Sequence, residues 1–431
     1  MPAHPPHDDV VVLPEDVLAR AERWAAEDPD PAHRDTLRAE LDAAAGVGPE
    51  AAAARAALAA RFAGPLAFGT AGLRAEEGPG ESRMNRLVVR RTAAGLAAHL
   101  WDGVGRDAAP PLAVVGYDAR RGSAAFAADT AAVLTAAGVQ TVLLPDPLPT
   151  PVLAFAVRHL SADAGVMVTA SHNPPADNGY NVYLGGRLTD EAGRGAQIVS
   201  PADAQIAARI DHAAWAADIP LADDGWTVAG PDLLEAYRAA ALGVLDDGRH
   251  GHRDLRVVYT PLHGVGGAVV PGLLEDAGFG PVHVVAEQAA PDPAFPTVAF
   301  PNPEEPGAMD LALALADVDA VTGAMPSAQV SVRVADLSLI ARTMAALRQQ
   351  GPATLAGEPV TVRRDLAAGG DGLPPTDALL FATDSGTRVL VRPSGTEPKL
   401  KCYLGTRDAD PAAAAERLEA LRAEVTALVG G

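Results

Sequence analysis

A polar loop around one serine holds the residues best suited to phosphoryl chemistry. The segment TASHNPPADNGY (169–180) follows a short apolar run and contains the adjacent residues Ser171 and His172. Open α/β sheets bind ligands at the carboxyl ends of their strands, where this loop is expected to project. A serine hydroxyl there can carry a covalent phosphoryl group, which divides one difficult transfer into two easier steps. The alternative interpretation is an ordinary turn, because Ser, Asn, Pro and Gly are also turn residues.

A second polar loop, RPSGTEPK (392–399), lies between two predicted strands. Its backbone N–H groups could form an anion-binding nest, and its two basic side chains could supply positive charge. A solvated hairpin loop is the alternative interpretation. The candidate phosphate ligands of this loop are Arg392, Ser394, Gly395, Thr396 and Lys399.

Two glycine-containing loops give weaker signals. The segment FGTAGLR places Arg74 just before a helix that Asn85 can cap, which suits either a phosphate contact or an interdomain turn. The segment HGVGGAVV (263–270) lies between a predicted strand and a predicted helix, and Glu287 ends the next predicted strand. A dinucleotide-binding fold has this order, but Val269 replaces the third glycine of its motif, so the match is partial.

Composition excludes several classes of function. The chain has 431 residues, with 34 basic and 55 acidic side chains, so its formal net charge is −21. This charge disfavours nucleic acid as a partner, because binding to a phosphate backbone needs clustered positive charge. The single cysteine, Cys402, excludes an internal disulfide framework and a cysteine-based metal site. No apolar run reaches the roughly 18 residues of a membrane span and the start lacks a secretory signal, so we expect a cytoplasmic protein with no membrane partner.

Hydrophobic patterns predict the elements that position these loops. Residues 1–63 show helical spacing, and from LAVVGY (112–117) onward short apolar runs alternate with helices, the first of which Ser123 is predicted to cap. This alternation predicts a mainly parallel sheet with helices on both faces. A second α/β unit begins at LRVVYT (255–260), but its expected third strand is missing, because DVDAVTGAMPSA (317–328) contains no apolar run of four residues.

The last hundred residues show a different order of elements. A strand at QVSVRV (329–334) and a helix precede a hairpin, a further strand and a final helix, which predicts an antiparallel sheet with flanking helices. The predicted fold class is therefore α/β, with successive α/β domains of mixed sheets followed by a C-terminal α+β domain. The predicted domains are 1–210, which carries the N-terminal helices and the serine loop, 211–325, which is incomplete, and 326–431, which carries the phosphate loop.

Taken together, these loops resemble those of the phosphohexomutases, specifically the phosphoglucomutase/phosphomannomutase family. The similar segments are GTAGLR, TASHNPPADNGY, TPLHGVGG followed by PNPEEPGAM, and DGLPPTD followed by VRPSGTEPKLK. They occur in the order of the family and cover nearly the whole chain from about residue 66, and TASHNP with RPSGTEP is a specific pair. The family interconverts hexose 1- and 6-phosphates through a serine phosphoenzyme, a bisphosphorylated sugar intermediate and one Mg²⁺.

The resemblance implies a role for each matching residue. Ser171 would be the phosphoserine, with His172 beside it in the transfer loop and Arg74 near the phosphoserine. The resemblance also implies a phosphosugar substrate, with glucose as the sugar, Mg²⁺ as cofactor and glucose 1,6-bisphosphate as activator. The residues implied to hold the non-transferred phosphate are Arg392, Ser394, Gly395, Thr396 and Lys399.

Two departures from the family pattern bear on activity. Asn181 stands where the family usually has a lysine, and an amide cannot act as the proton donor that this lysine can be. The family also has a third domain and a loop of three aspartates that bind Mg²⁺, and both are expected to be missing around 320–328. Mg²⁺ would then keep only the phosphoryl oxygen on Ser171 as a ligand.

Three hypotheses follow from these observations. The first is a phosphohexomutase whose activity is impaired by the missing segment. The second is a non-catalytic remnant that still binds phosphosugars. The third is a dinucleotide-dependent enzyme, which only HGVGGAVV and Glu287 support. The sequence leaves the oligomeric state open.

Overall fold

The protein consists of two compact units, Met1–Met309 and Asp310–Gly431, and each is described by itself. The computed structural model describes residues 13–69, 71–245, 253, 255–316, 327–333, 337–368, 376–393, 399–408 and 410–429. In the described part of the first unit the helices are α1 (Glu15–Glu27), α2 (Pro31–Ala44), α3 (Pro49–Arg61), α4 (Arg86–Val104), α5 (Ser123–Ala136), α6 (Thr150–His159), α7 (Ala202–Asp211), α8 (Pro231–Leu242) and α9 (Val270–Asp276). The strands of the same part are β1 (Gly72–Glu76), β2 (Leu112–Tyr117), β3 (Gln140–Leu143), β4 (Ala164–Val168), β5 (Asp177–Leu184), β6 (Ala196–Gln197), β7 (Thr227–Val228), β8 (Val257–Tyr259) and β9 (Val282–Val284).

The helical spacing of residues 1–63 is confirmed by α1, α2 and α3, while residues 1–12 lie outside the described residues. Pro31 begins α2, and the side chain of Asp30 caps it by accepting a hydrogen bond from a backbone amide. The helices share a separate apolar cluster centred on Trp24, which packs edge-on against Phe62 and Trp215. Trp215, which lies far along the chain, thus packs these helices against the rest of the first unit.

The central sheet of the first unit has the strand order β1-β5-β4-β2-β3-β7, with β6 paired to β5. Strands β4, β2, β3 and β7 are parallel to one another, as expected for strands joined by helices. Strand β5 runs antiparallel to β4 and to β1, because the loop before it returns the chain directly alongside β4. The sheet is therefore mixed, and β7 brings a segment beyond residue 210 into it.

Helices cover both faces of this sheet, as the alternating pattern predicts. Neighbouring side chains of a strand point to opposite faces, and on β2 Val114 and Val115 belong to two different apolar clusters. The cluster around Val115 includes side chains of α4, α5 and α7, whereas the cluster around Val114 includes side chains of α6 and α8. Strands buried on both faces explain why their sequences are nearly continuous apolar runs.

Two capping predictions have different outcomes. Asn85 caps α4 as predicted, since its side-chain oxygen accepts a hydrogen bond from the amide of Val88 at 3.0 Å. Ser123 does not cap α5: Gly122 occupies the capping position and no side chain bonds there. The hydroxyl of Ser123 donates instead to Asp118 at 2.6 Å, because the chain places that carboxylate at the adjacent end of β2.

The second α/β region of this unit contains the parallel pair β8 and β9 with α9 between them. The apolar run VHVVAE forms a strand only at Val282–Val284, and Glu287 lies in the single helical turn that follows. Glu287 therefore does not end the strand, which is where a dinucleotide site would need its acidic residue. Of the stretch 317–328, in which the sequence lacks the expected third strand, residues 317–326 lie outside the described residues.

The second unit is built around one antiparallel sheet. Its described elements are α10 (Asp310–Ala316), β10 (Ser327–Arg333), α11 (Leu337–Gln349), β11 (Thr354–Leu355), β12 (Glu358–Pro359), β13 (Val362–Asp365), β14 (Leu379–Ala382), β15 (Arg388–Pro393), β16 (Lys399–Gly405) and α12 (Pro411–Val429). The strand order of the sheet is β10-β16-β15-β14-β13. The hairpin of β14 and β15 and the strand after the phosphate loop are confirmed, and α12 packs against this sheet through Leu421 and Val425. The α/β and α+β fold classes predicted from the sequence are both present.

Among the residues that the structure describes, no helix combines the length and the apolar character needed to cross a membrane.

Candidate active site

Ser171 lies in the loop between β4 and β5, at the carboxyl edge of the central sheet. Its side chain is exposed and its φ of 56° falls in the left-handed region, which non-glycine residues seldom adopt outside tight or functional loops. The amide of Ser171 donates to the hydroxyl oxygen of Thr169 at 2.9 Å, and that hydroxyl donates to Asp118 at 2.6 Å. The backbone at Ser171 is thus anchored to the end of the neighbouring strand β2.

Arg120 holds the backbone of the same loop through side-chain hydrogen bonds. The residue is 4% exposed, and its two terminal nitrogens donate hydrogen bonds of 2.8–2.9 Å to four backbone carbonyl oxygens. The remaining nitrogen, Nε, lies 3.3 Å from a carboxylate oxygen of Asp118. Burial lowers the pKa of Arg120, and the nearby carboxylates of Asp118 and Asp177 oppose that effect. The carbonyls that Arg120 holds belong to Ser171, Asn173, Pro174 and Asp177.

Strand β1 brings a second arginine to this loop. Arg74 donates to the side-chain oxygen of Asn173 at 3.2 Å, and the amide group of Asn173 donates to Asp177 at 2.9 Å. Arg74 pairs with Gly179 in the register of β1 with β5. A Cβ atom added to Gly179 would lie 2.5 Å from the carbonyl oxygen of Thr169. Glycine is therefore required for β1, β5 and the end of β4 to approach this closely. The sequence prediction that Arg74 lies near Ser171 corresponds to this contact with the serine loop.

Asn181 is a buried structural residue. It is 5% exposed, and its amide group donates to the carbonyl oxygens of Thr169 at 3.0 Å and Met167 at 3.4 Å. Its own oxygen accepts a 3.4 Å hydrogen bond from Gln197. The side chain thus stabilises the end of β4 just before Ser171, and it carries no titratable group.

A cavity of about 380 Å³ opens beside Ser171. Ser171 and His172 line one wall together with Asp118. The second α/β region supplies the facing wall through residues 259–265 and through Asp292, Pro293 and Phe295. Burial raises the pKa of Tyr259 above its ordinary value. The cavity thus joins the serine loop to the TPLHGVGG loop, which the sequence places nearly ninety residues later.

A hydrogen-bonded network stabilises the facing wall of the cavity. His263 has a φ of 59° and is 4% exposed, and its Nε2 lies 2.9 Å from the hydroxyl of Thr297. Gln288 donates to the same hydroxyl at 3.0 Å and accepts from Thr260 at 2.6 Å. These hydrogen bonds restrict the side chains of the wall, as suits a binding site.

The described residues do not fit a magnesium centre. Magnesium needs near-octahedral coordination by oxygen ligands, and no group of three His, Cys, Asp or Glu side chains that could hold a metal occurs within the described ranges. The two oxygens of Asp118 already accept hydrogen bonds from Ser123 and Thr169. Asp317 and Asp319 lie outside the described residues.

The structure brings Ser171, His172 and Arg74 to one loop cluster in the first unit. Arg392 and Lys399 belong to the second unit, at the ends of the neighbouring strands β15 and β16. Residues Ser394, Gly395 and Thr396, between those strand ends, lie outside the described residues.

Sequence reasoning missed Asp118, Arg120, His263 and Phe295 as parts of this site. A signal for Asp118 and Arg120 was available, because DAR directly follows the strand run LAVVGY, and adjacent parallel strands end at the same edge of a sheet. For His263 the signal was its place in the loop TPLHGVGG, whereas none exists for Phe295, whose positive φ and burial depend on contacts distant in sequence.

The fold and the loop define an α/β protein that presents a serine beside a cavity. Three models of phosphoglucomutase/phosphomannomutase match the chain: α/β/α domain I at 65–216, α/β/α domain II at 237–325 and the C-terminal domain at 330–425. The chain is 33% identical to a probable phosphomannomutase of Haemophilus influenzae over 478 aligned positions, which take in 76% of this chain and 94% of that protein. The chain therefore belongs to the phosphoglucomutase/phosphomannomutase family, whose members are phosphomutases and hence isomerases.

Other relatives match over part of their length. The chain is 40% identical over 268 residues to a probable phosphoribomutase of Schizosaccharomyces pombe, and this match takes in 60% of the chain and 44% of that relative. The chain thus spans less than half of this second protein. A crystal structure from Thermus thermophilus, assigned as a phosphomannomutase, superposes with a TM-score of 0.52 at 21% identity, covering 85% of this chain and all of that one. This likeness supports the fold.

Proposed function

We propose that this protein is a phosphohexomutase that interconverts hexose 1-phosphate and hexose 6-phosphate, with glucose as the hexose, through a phosphoserine at Ser171. The observation that carries the proposal is the placement of Ser171. Its loop is held by four hydrogen bonds from Arg120, and it borders a cavity of about 380 Å³. A nucleophile held in this way has little freedom left to lose on reaction, which is the main contribution of positioning to phosphoryl transfer.

The proposed reaction consists of two transfers. The free hydroxyl of the bound hexose monophosphate attacks the phosphorus of phosphoserine, the Ser171 Oγ–P bond breaks, and the hydroxyl proton is passed on to Ser171 Oγ, leaving serine and hexose 1,6-bisphosphate. In the second transfer Ser171 Oγ attacks the other phosphorus, the bond between that phosphorus and its sugar oxygen breaks, and the serine proton is passed to that sugar oxygen, which releases the isomeric monophosphate. In this proposal His172 and Arg74 act at the serine loop. Arg392, Ser394, Gly395, Thr396 and Lys399 hold the phosphate that is not transferred, and glucose 1,6-bisphosphate serves as activator.

Two features support a reduced rate in this chain. Asn181 is buried and bonded to backbone carbonyls, so this position cannot supply a proton to the reaction. The sequence is also inferred to lack, near 320–328, the family's loop of three aspartates that binds Mg²⁺. A bound metal would offset the charge that develops on the phosphoryl oxygens, and its loss would cost several kcal/mol of transition-state stabilisation.

We further infer that the chain lacks the family's third domain and consists of domains 1–210, 211–325 and 326–431. The alignment with the Haemophilus influenzae protein supports this inference, because its 478 positions take in only 76% of this chain, or about 330 residues. About 150 positions of the alignment therefore face no residue of this chain. That number suits one domain of the usual size.

A non-catalytic phosphosugar-binding remnant is the second candidate function. The same two features favour it, since Asn181 and the loss of the aspartate loop inferred from the sequence would affect catalysis and leave the proposed phosphate-binding residues in place. This candidate retains the cavity and the C-terminal phosphate loop, but Ser171 would not turn over.

A coupled mutase assay separates the two candidates. Glucose 1-phosphate, mannose 1-phosphate and ribose 1-phosphate are each supplied with Mg²⁺ and catalytic glucose 1,6-bisphosphate. Ser171→Ala is compared with Ser161→Ala, a matched control because Ser161 is also exposed with a positive φ of 52°. Turnover of glucose 1-phosphate that is lost only in Ser171→Ala supports the mutase. Glucose 6-phosphate that raises the melting temperature without any turnover supports the remnant, and turnover confined to ribose 1-phosphate contradicts the assignment of a hexose.

A further inference from the structure

Phe295, in the second α/β region, holds an unfavourable backbone conformation. Its φ is 48°, and a positive φ is a clear outlier for a bulky residue. Pro296 follows it, and a residue before proline favours an extended backbone. The side chain is nevertheless buried, at 7% exposure. Strained residues persist only where surrounding contacts outweigh the strain, so the contacts of this ring indicate what the strain supports.

Local hydrogen bonds hold the segment in this shape. The amide of Phe295 donates to the carbonyl of Asp292 at 3.1 Å, and the amide of Asp292 donates to the carbonyl of His263 at 3.0 Å. The carbonyl of Phe295 accepts from Val298 at 3.1 Å. The position of Phe295 is therefore tied to the wall of the cavity that His263 helps to form.

The ring of Phe295 packs on the Arg120 guanidinium, whose Cζ lies 5.2 Å from the ring centroid. This distance is within the range of a cation–π contact. All four hydrogens on the terminal nitrogens of Arg120 are directed in its plane to the carbonyls of the serine loop. The flat faces of the guanidinium are consequently the part left for another contact, and the Phe295 ring fits that geometry.

We propose that Phe295 is a positioning residue for the reaction at Ser171. It acts through Arg120: the ring restricts the guanidinium, and the guanidinium restricts the carbonyls of Ser171 and Asn173. The segment PDPAFP (291–296) thereby makes the order of the serine loop depend on the second α/β region. The kinetic part of this proposal rests on the proposed function, whereas the structural part does not.

Hydrogen–deuterium exchange of the loop peptide 169–178 tests the structural part. Phe295→Leu keeps an apolar side chain and removes the aromatic face, and Phe295→Gly also relieves the positive φ. Both variants are expected to exchange in this peptide about tenfold faster than the native protein, a change within the strength of a cation–π contact. Phe295→Tyr, which keeps the ring, is expected to restore native exchange. Exchange of the buried strand Leu112–Tyr117 serves as the internal measure of global folding.

Phe155→Leu is the matched control, because Phe155 also joins the two α/β regions through an aromatic contact. Its ring packs against Tyr237 of α8 with the ring centroids 5.6 Å apart, whereas the aromatic partner of Arg120 is Phe295. Loop exchange that is the same in Phe295→Leu as in Phe155→Leu would overturn the proposal. So would faster exchange that appears equally in Leu112–Tyr117, since this would indicate general destabilisation.

The kinetic part is measured as the rate of phosphoryl uptake by Ser171 from glucose 1,6-bisphosphate in a single turnover. Phe295→Leu is expected to slow this rate about tenfold while the Kd of the bisphosphate changes less than twofold, a split typical of lost positioning. An unchanged rate contradicts a role for Phe295 in the reaction. If the native protein takes up no phosphoryl group, the proposed function fails, and the exchange measurement still decides whether Phe295 orders the loop.

Discussion

Replacement of Arg120 by methionine is the perturbation for which the structure predicts the largest effect. Methionine keeps an unbranched apolar stem of similar length but removes four hydrogen bonds of 2.8–2.9 Å and the ion pair with Asp118. Hydrogen bonds from a charged donor contribute about 1.5–3 kcal/mol each when they are buried. The loop carbonyls can take up water, so only part of this sum is lost. We expect a loss of about 3–5 kcal/mol, similar to that for breaking a buried ion pair.

Arg158→Met is the appropriate control for this change. Arg158 also donates to two loop carbonyls, those of Glu191 and Arg194, but its side chain is 48% exposed. Interactions of this exposed kind are worth about 1 kcal/mol or less. Equilibrium unfolding in urea, followed by circular dichroism, measures the free energy of unfolding for both variants.

Equal free energies of unfolding for Arg120→Met and Arg158→Met would refute the view that Arg120 organises the serine loop. A large loss of stability with native exchange in the peptide 169–178 would also contradict it. If Arg120 organises the serine loop, Arg120→Met must lower the free energy of unfolding and speed exchange in the peptide 169–178 together.

Three further predictions follow from buried groups. Asn181→Leu leaves the carbonyl of Thr169 without its partner and is expected to lower the free energy of unfolding by about 1–3 kcal/mol in urea denaturation; no change would contradict the structural role of Asn181. Burial alone would raise the pKa of Asp163, but hydrogen bonds from Arg187 and two backbone amides outweigh it and hold the pKa below its ordinary value. The stability that this carboxylate contributes is therefore complete above about pH 4 and is lost as the pH falls through the folded-state pKa, so the stability difference between native protein and Asp163→Asn should shrink from pH 6 to pH 3. Burial raises the pKa of Cys402 to about 12, so iodoacetamide should modify it at pH 8 at least about a hundredfold more slowly in the native protein than in urea, and equal rates would contradict its burial.

Much of the architecture could be predicted because its signals are local. Continuous apolar runs such as LAVVGY and AGVMVT identify strands that are buried on both faces. Asn85 is recognisable as a helix cap because its side-chain oxygen accepts a hydrogen bond from a nearby backbone amide. Strand β1 was not predicted, because GLRAE has no apolar run and its alternation of Leu73 and Ala75 with Arg74 and Glu76 is too short to identify a strand. It exists through its pairing with β5, in the register Gly72–Asn181, and such long-range pairing leaves no local pattern.

The candidate site was predicted only in part for the same reason. Ser171 and His172 are recognisable from a short motif, but the residues that fix their backbone lie elsewhere in the chain. Arg120 is one of 32 arginines and shows its role only when its four acceptors are in place. Ser123 has the right type for a cap, yet Asp118 takes its hydroxyl once β2 and α5 are assembled.

The most direct test of the central claim is whether Ser171 accepts a phosphoryl group. The protein is incubated with glucose 1,6-bisphosphate and Mg²⁺, digested, and the peptide containing residues 169–178 is examined by mass spectrometry beside the same peptide of Ser171→Ala. The account predicts near-stoichiometric phosphorylation at Ser171 in the native protein and none in the variant. Phosphorylation at another residue, or an unmodified peptide in a folded protein that binds the bisphosphate, would contradict it.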